Sequence, residues 1–368
     1  MKSKQEVEKF LEEIRVKGAR SRLLTHSNRV KKIIQSIMLS PITGKEMVVK
    51  KEWRKMTYRK EEFDILFHSW YCVDTKEEFE DEVFAELNYN QVVNQYREKY
   101  NIPFPDDIKN IREQYNLPAI RMAQVLGFGD NTYRHYESGE MPTQANARLI
   151  QMAADPNKFL EMLRLSDLHD DKQFAKAKSN AEKLCKQQVS DNEMILGRFF
   201  GEKMRDRFTG YSLPDFTKFK EMVLFFIIDS DVWKTKLNKM LFYADFVNYK
   251  YHNRSISGAR YCPIDMGPVP DNFNTLFDIL LKENVLDVSY QSFSDGGVGE
   301  KYTPLRRFDE SMFTPDELEI MRNVKERLKN ISTQDVIKLS HKEKAWRKNR
   351  TNKSQPIDYT FAYDLILL

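Results

Sequence analysis

The chain has 368 residues, 41% of them hydrophobic and 31% charged, a soluble composition large enough for two or three folding units. No run approaches the ~18 apolar residues of a membrane span, and the longest apolar stretch is only Met222–Ile228. Three separated cysteines, Cys72, Cys185 and Cys262, exclude a disulfide framework and fit a reducing cytoplasm. The opening MKSKQEVEKF lacks the apolar core of a secretory signal, so a cytoplasmic location is expected.

The net charge of +4 is unevenly spread. Residues 1–60 hold 17 Lys/Arg against 6 Asp/Glu, whereas residues 61–100 hold 3 against 11. Arg15 to Lys32 contains seven basic residues and no acid, a patch able to attract phosphate or an acidic protein, or simply a solvated helix and turn. Val7, Phe10, Leu11 and Ile14 recur at helical spacing, so residues 1–37 read as a basic helical arm.

Residues 38–75 change period. After the turn signal Pro41-Ile-Thr-Gly44, apolar residues alternate with polar ones through Phe63, Ile65 and Phe67, which predicts a small antiparallel ribbon packed by Trp53, Tyr58, Phe63, Phe67, Trp70 and Tyr71. A connecting helix is expected over 76–104, ending at Pro103 and Pro105. Residues 105–155 read as four short helices, 156–210 as a helical linker, and Gly210-Tyr-Ser-Leu-Pro214 as a boundary. The last domain, 211–368, opens with apolar helices at Phe219–Phe226 and Leu237–Tyr249, is punctuated by Gly258, Gly267, Pro268 and Pro270, and continues in helices over 315–330 and 333–346. The expected fold is mainly α with a small antiparallel β-ribbon (α+β).

The strongest local pattern spans Ile108 to Gly139. Ile111, Met122, Ala123, Leu126, Tyr133 and Tyr136 bury successive helix faces, Ala123 is small where two helices cross, and Gly127 and Gly139 supply the positive φ of tight helix ends. This framing resembles the repressor-type helix-turn-helix. The resemblance implies that a second helix starting near Gly129 or Asp130 enters the major groove, offering Asp130, Asn131, Arg134 and His135 to base edges, with Arg121 and Arg148 on phosphates. Residues 101–155 carry 5 Lys/Arg and 7 Asp/Glu, so the reading head is acidic and needs help from a dimer partner or from the basic arm.

Ribbon, helix and helix-turn-helix in this order resemble the antitoxins of the motility/quorum-sensing-regulator type, whose ribbon carries two Cys-x-x-Cys pairs. The corresponding frames here are Ser40-Pro-Ile-Thr43 and Cys72-Val-Asp-Thr75, and only Cys72 is a thiol. Structural zinc needs four Cys or His ligands, so no metal is expected. Further on, Lys236-Leu-Asn-Lys-Met-Leu-Phe-Tyr-Ala-Asp245, Ser255-Ile-Ser-Gly258, Tyr261, Gly267-Pro-Val-Pro270, Ser340-His-Lys-Glu-Lys-Ala-Trp346 and Ile357-Asp-Tyr359 together resemble the Panacea, or SocA-like, domain. That resemblance implies an antitoxin: a C-terminal domain that binds and neutralises a protein toxin from the adjacent gene, and a helix-turn-helix that represses the operon on operator DNA as a homodimer. Tyr249, Tyr251, Arg254, Arg260 and Tyr261 are the candidate toxin anchors, although core packing is an equal use for such aromatics. His341 and Trp346, taken to share one helix, read as buttresses.

No catalytic constellation is present. Neighbouring Ser340 and His341 point apart on a helix, nothing around Cys262, with His252 and Asp265 near in sequence, demands the cationic contact and exposure of an activated thiol, and no phosphate-loop, dinucleotide or zinc-protease motif occurs. A non-enzymatic role without cofactors is expected. Two other roles remain open: a regulator whose C-terminal domain senses a protein or ligand, and an adaptor that delivers a bound toxin to a protease.

Overall fold

The computed structural model describes residues 38–166, 172–186, 197–201, 204–292, 297–352 and 355–367. The basic arm expected at 1–37 lies outside them. The fold is mainly α, about 52% helical, with small antiparallel sheets. The chain divides into two compact units. One takes in the described residues up to Met56, Asp64–Gln91 and those of Asp191–Leu368; the other takes in Thr57–Phe63 and the described residues of Val92–Ser190.

The first unit contains most of a three-stranded sheet of order β1-β2-β3: β1 (Val48–Tyr58), β2 (Glu61–Tyr71) and the short β3 (Glu78–Phe79). The β1–β2 connection consists of Arg59 and Lys60, both left-handed with φ of 48° and 69°, the mirror-image turn whose twist suits a two-residue hairpin. The alternation buries Phe63 and Ile65, but β2 is buried on both faces beyond them, with Leu66 and Trp70 inside and Phe67 and Tyr71 half-buried, and Trp53 is 57% exposed and takes no part in that packing. The helix expected from Lys76 begins later. Lys76 is left-handed, and the chain doubles back to pair Glu78 with Tyr71 and Phe79 with Trp70 before α1 (Glu82–Tyr100) starts.

A polar stripe on α1 closes the sheet edge. Beyond β3, the free side of β2 would leave buried backbone groups unpaired, at a cost of about 1–3 kcal/mol each. Two buried amides replace the missing strand. Asn88 accepts from His68 N (2.8 Å) and donates to His68 O (2.9 Å), and Gln91 does the same for Leu66 (3.0 Å and 3.0 Å). Three residues apart, they sit on one face of α1 and meet alternate residues of β2.

The C-terminal part of this unit is built around α9 (Lys234–His252), with Lys236 to Tyr249 buried continuously. It packs against α8 (Phe216–Ile227), α11 (Pro315–Lys329), α12 (Thr333–Lys342), strand β5 (Gly267–Pro270) and a closing 3-10 turn (Tyr359–Asp364). Around this centre lie β4 (Tyr261–Ile264), α10 (Phe273–Lys282) and the hairpin of β6 (Leu286–Ser292) and β7 (Val298–Pro304). Buried lysine stems cap two helix ends: Lys236 donates to Lys329 O (3.1 Å) and Ile331 O (2.8 Å), Lys325 to Phe225 O (2.8 Å) and Ile228 O (2.7 Å). The single helix expected over 333–346 is broken at Glu343, which is extended (ψ 136°) and separates α12 from α13 (Lys344–Asn349). Its buried carboxylate accepts from Ile366 N (3.0 Å) and Tyr243 OH (3.2 Å), tying the break to the core.

In the second unit, α2 (Pro105–Glu113), α3 (Ala119–Val125), α4 (Thr132–Glu137) and α5 (Gln144–Met152) match the four short helices expected at 105–155. Pro105 opens α2 at its first turn, and Thr143 caps α5 by accepting from Asn146 N. Gly127 (φ 70°) and Gly139 (φ 111°) end α3 and α4 as their sequence positions predict. Two further helices, α6 (Pro156–Leu165) and α7 (Lys172–Lys186), complete the core. It holds Ile108, Met122, Ala123, Leu126, Tyr133, Tyr136, Phe159, Phe174 and Ala177.

Candidate functional site

The motifs at 236–270 and 340–359 converge on a buried polar network. Asp245, on α9, is fully buried and its carboxylate accepts four hydrogen bonds: from Ile256 N (2.7 Å), Ser257 N (2.8 Å), Ser257 Oγ (2.6 Å) and Tyr261 OH (2.7 Å). Burial raises its pKa against the lowering effect of those donors. The loop 255–258 therefore winds around one carboxylate. Ser255 Oγ links it to Thr209 O (2.7 Å), and Gly258 (φ 72°) passes so near the backbone that a Cβ there would lie 2.5 Å from Leu213 O. Tyr359 stacks on Phe246 (centroids 4.3 Å apart) and donates to Ala259 O (2.7 Å).

A second buried group lies further along. Lys239 is fully buried and donates to Pro268 O (2.9 Å), and burial pushes its pKa down to about 7. The Gly267-Pro-Val-Pro270 segment is thus strand β5, paired with β4 in the register Cys262↔Val269. His341 and Trp346, across the Glu343 break, stack at 3.9 Å, and Trp346 Nε1 donates to Ile264 O (2.8 Å). Both act as buttresses, though from two helices.

Of the five candidate toxin anchors, none is fully exposed. Tyr261 belongs to the Asp245 network, and Tyr249 is buried against Tyr359 and Tyr363. The reason is that α9 from Lys236 to Tyr249 and the start of the strand after it are enclosed, so an aromatic there braces the core and offers a partner no surface. Tyr251, Arg254 and Arg260 are half-buried, and Arg260 pairs with Asp206 (2.7 Å). Cys262 is also buried, and burial raises its thiol to about 12, the opposite of an activated nucleophile.

In the ribbon, Ser40, Thr43, Cys72 and Thr75 meet as the four positions of a paired knuckle. The two turns repeat each other: Ser40 O accepts from Gly44 N (2.9 Å) and Ser40 N donates to Lys45 O (2.8 Å), while Cys72 O accepts from Lys76 N (2.8 Å) and Cys72 N donates to Glu77 O (3.0 Å). Thr43 Oγ1 lies 3.8 Å from Cys72 Sγ. Hydrogen bonds from Ser40 and Thr75, helped by Thr43, hold the thiol at about 6. Among the described residues no group of three His, Cys, Asp or Glu could hold a metal ion.

In the second unit, Asp130, Asn131, Arg134, His135 and Arg148 are exposed. Helix α4 begins at Thr132, two to three residues later than its sequence implied, so Asp130 and Asn131 lie in the turn before it. His135 Nδ1 is 3.6 Å from Glu140. Arg121 on α3 is half-buried, donating to Gln124 (2.9 Å) and to Gln173 of α7 (3.2 Å), with its guanidinium 5.5 Å from the Phe174 ring. Helix α7 falls within the segment expected as a helical linker, but Phe174, Ala177 and Ala181 at helical spacing bury it in the core of this unit.

Residues 237–347 match the family model described as Antitoxin SocA-like, Panacea domain. The chain therefore carries a SocA-like domain running from Leu237 in α9 to Arg347 in α13, which includes Asp245, the 255–258 loop, Tyr261 and Lys239. Comparison with curated proteins and with solved structures finds no match.

Proposed function

We propose that this chain is the antitoxin of a type II toxin–antitoxin pair. Residues 211–368 bind and neutralise a cognate protein toxin encoded by the adjacent gene. The helices over 105–155 act as a helix-turn-helix that represses the operon on operator DNA, as a homodimer reading paired half-sites. The observation that carries this reading is the match of residues 237–347 to a SocA-like antitoxin domain. The role is non-enzymatic and cytoplasmic. Among the described residues no helix is long and apolar enough to cross a membrane.

Exposure supports the DNA arm of the proposal, since Asp130, Asn131, Arg134 and His135 lie together at the start of α4 with apolar neighbours turned inward. Asn can pair with adenine, Arg with guanine and Asp with cytosine. Arg121 and Arg148 serve phosphates. Toxin contacts fall to Tyr251, Arg254 and Arg260 together with outer residues, and not to Tyr249 or Tyr261.

The test is expression of the neighbouring gene alone and with the full chain, alongside binding of the chain to DNA upstream of its own gene. Toxicity relieved by co-expression, with a stable complex on co-purification, is the expected result. Loss of rescue with operator binding intact would favour a sensing regulator, and rescue that vanishes in cells lacking one protease would favour an adaptor.

A further inference from the structure

The helices over 105–155 are net acidic, which is a poor start for binding a polyanion. Helix α7 supplies the opposite charge within the same core. Its Phe174, Ala177 and Ala181 are buried with Met122, Ala123 and Tyr133, so it is an integral part of the α2–α5 bundle. Its composition is five Lys to one Glu, and Lys172, Lys176, Lys178, Lys183 and Lys186 are all exposed. At about 100° per residue, Lys172, Lys176 and Lys183 fall within a narrow stripe opposite the buried face. Lys178 lies on the flank and faces Glu182 at 4.0 Å.

The first turn of α7 lies beside α3. Gln173 accepts from Arg121 Nε, and Phe174 lies under the Arg121 guanidinium. In a helix-turn-helix the first helix of the motif crosses the phosphate backbone while the second enters the groove. Arg121 is on that first helix and its guanidinium meets α7 at Gln173; Lys172 and Lys176 fall about 60–100° round the helix from Gln173, on the outer side of that junction.

We propose that Lys172 and Lys176 of α7 are phosphate contacts that, with Arg121, clamp the backbone of duplex DNA and offset the acidity of the reading helices. This rests on the DNA-binding reading above. These contacts carry no sequence information: they hold the head in register while Arg134 and Asn131 read bases.

The full chain is titrated by fluorescence anisotropy against a mixed-sequence 40-base-pair duplex and against the duplex upstream of its own gene, over a series of KCl concentrations. Each phosphate contact contributes about 0.9 to the slope of log K against log[KCl]. K172A/K176A is expected to lower the slope by about 1.8 on both duplexes. The charge-matched K183A/K186A, at the far end of α7, leaves the slope as in the unaltered chain. A slope unchanged in K172A/K176A overturns the proposal, as does an equal fall in both variants, which would mean a diffuse field. A larger loss on RNA of the same sequence, or loss of toxin co-purification alone, also overturns it. Failure of the unaltered chain to bind either duplex removes the DNA reading itself, a separate outcome. Exposed Lys→Ala changes on a helix favour folding, and an unchanged Tm checks this.

Discussion

Replacing Asn88 by Asp exchanges one atom pair and tests whether side-chain amides stand in for a strand. In the native chain the buried Asn88 amide pairs both ways with His68, accepting at 2.8 Å and donating at 2.9 Å. Asn88→Ala removes both bonds and leaves two buried backbone groups unpaired, at about 1–3 kcal/mol each, so a loss of about 2–6 kcal/mol is expected. Asn88→Asp is more informative. An ionised carboxylate still accepts from His68 N but turns an acceptor toward His68 O and toward Glu80, to which Asn88 Nδ2 also donates (3.0 Å). A protonated carboxyl restores the donor. The buried carboxyl that Asn88→Asp introduces therefore titrates higher folded than unfolded, and the deficit against the native chain is largest at pH 8 and shrinks as pH falls through its folded-state pKa. The assay is urea denaturation of the full chain at pH 8, 7, 6 and 5, followed by tryptophan fluorescence, with amide exchange at His68 as a local probe. Comparison with the native chain at each pH cancels every other titration. An Asn88→Asp deficit that is absent at pH 8, or that stays constant down to pH 5, refutes the reasoning.

Three further outcomes follow from the same geometry. His68 is buried between Phe84 and Tyr363, and burial lowers its pKa to about 4. Its folded state resists protonation that the unfolded chain accepts, so stability falls by up to about 3 kcal/mol as pH drops from 6.5 toward 4, and His68→Phe flattens this acid limb in denaturation curves. Gly258→Ala combines a left-handed Ala, about 1–2 kcal/mol, with backbone atoms 2.5–2.7 Å from the new methyl, about 1–3 kcal/mol. Its loss in urea denaturation should exceed that of Gly127→Ala, where φ is similar and the space is open; equal losses would discount the clash. Ser40→Cys, Thr43→Cys and Thr75→Cys together complete four thiols with Cys72, and one zinc per chain is expected by metal analysis. No metal above the level of the native chain would mean that the four positions do not converge as the turns indicate.

Much of this fold was legible because its elements carry strong local chemistry. Alternation through Phe63, Ile65 and Phe67 marked the ribbon, and the apolar run through Phe226 and Leu237–Tyr249 marked the inner helices. Gly127 and Gly139 marked helix ends through the one conformation that favours them. The failures share a cause, which is long-range pairing. The Glu343 break depends on backbone amides more than twenty residues away, and nothing in Ser340–Trp346 signals it. Asn88 and Gln91 look like surface amides until β2 lies beside them. Tyr249 and Tyr261 were open to both readings, anchor and core, for a related reason, since a tyrosine near an arginine reads the same at a surface and in a core, and burial puts these two in the core. Trp53 failed in the other direction: its place in the alternation implied packing that β1 does not supply.

The enclosure of α9 bears on how such a domain diversifies. Within the matched range, Asp245, Ile256, Ser257 and Tyr261 are committed to one another through short internal bonds. They form an internal chassis that substitutions on the outer surface leave untouched. If the domain binds a toxin as proposed, altering outer residues alone would change the partner, each step nearly free in stability. The stability of the fold is then uncoupled from the chemistry of its surface.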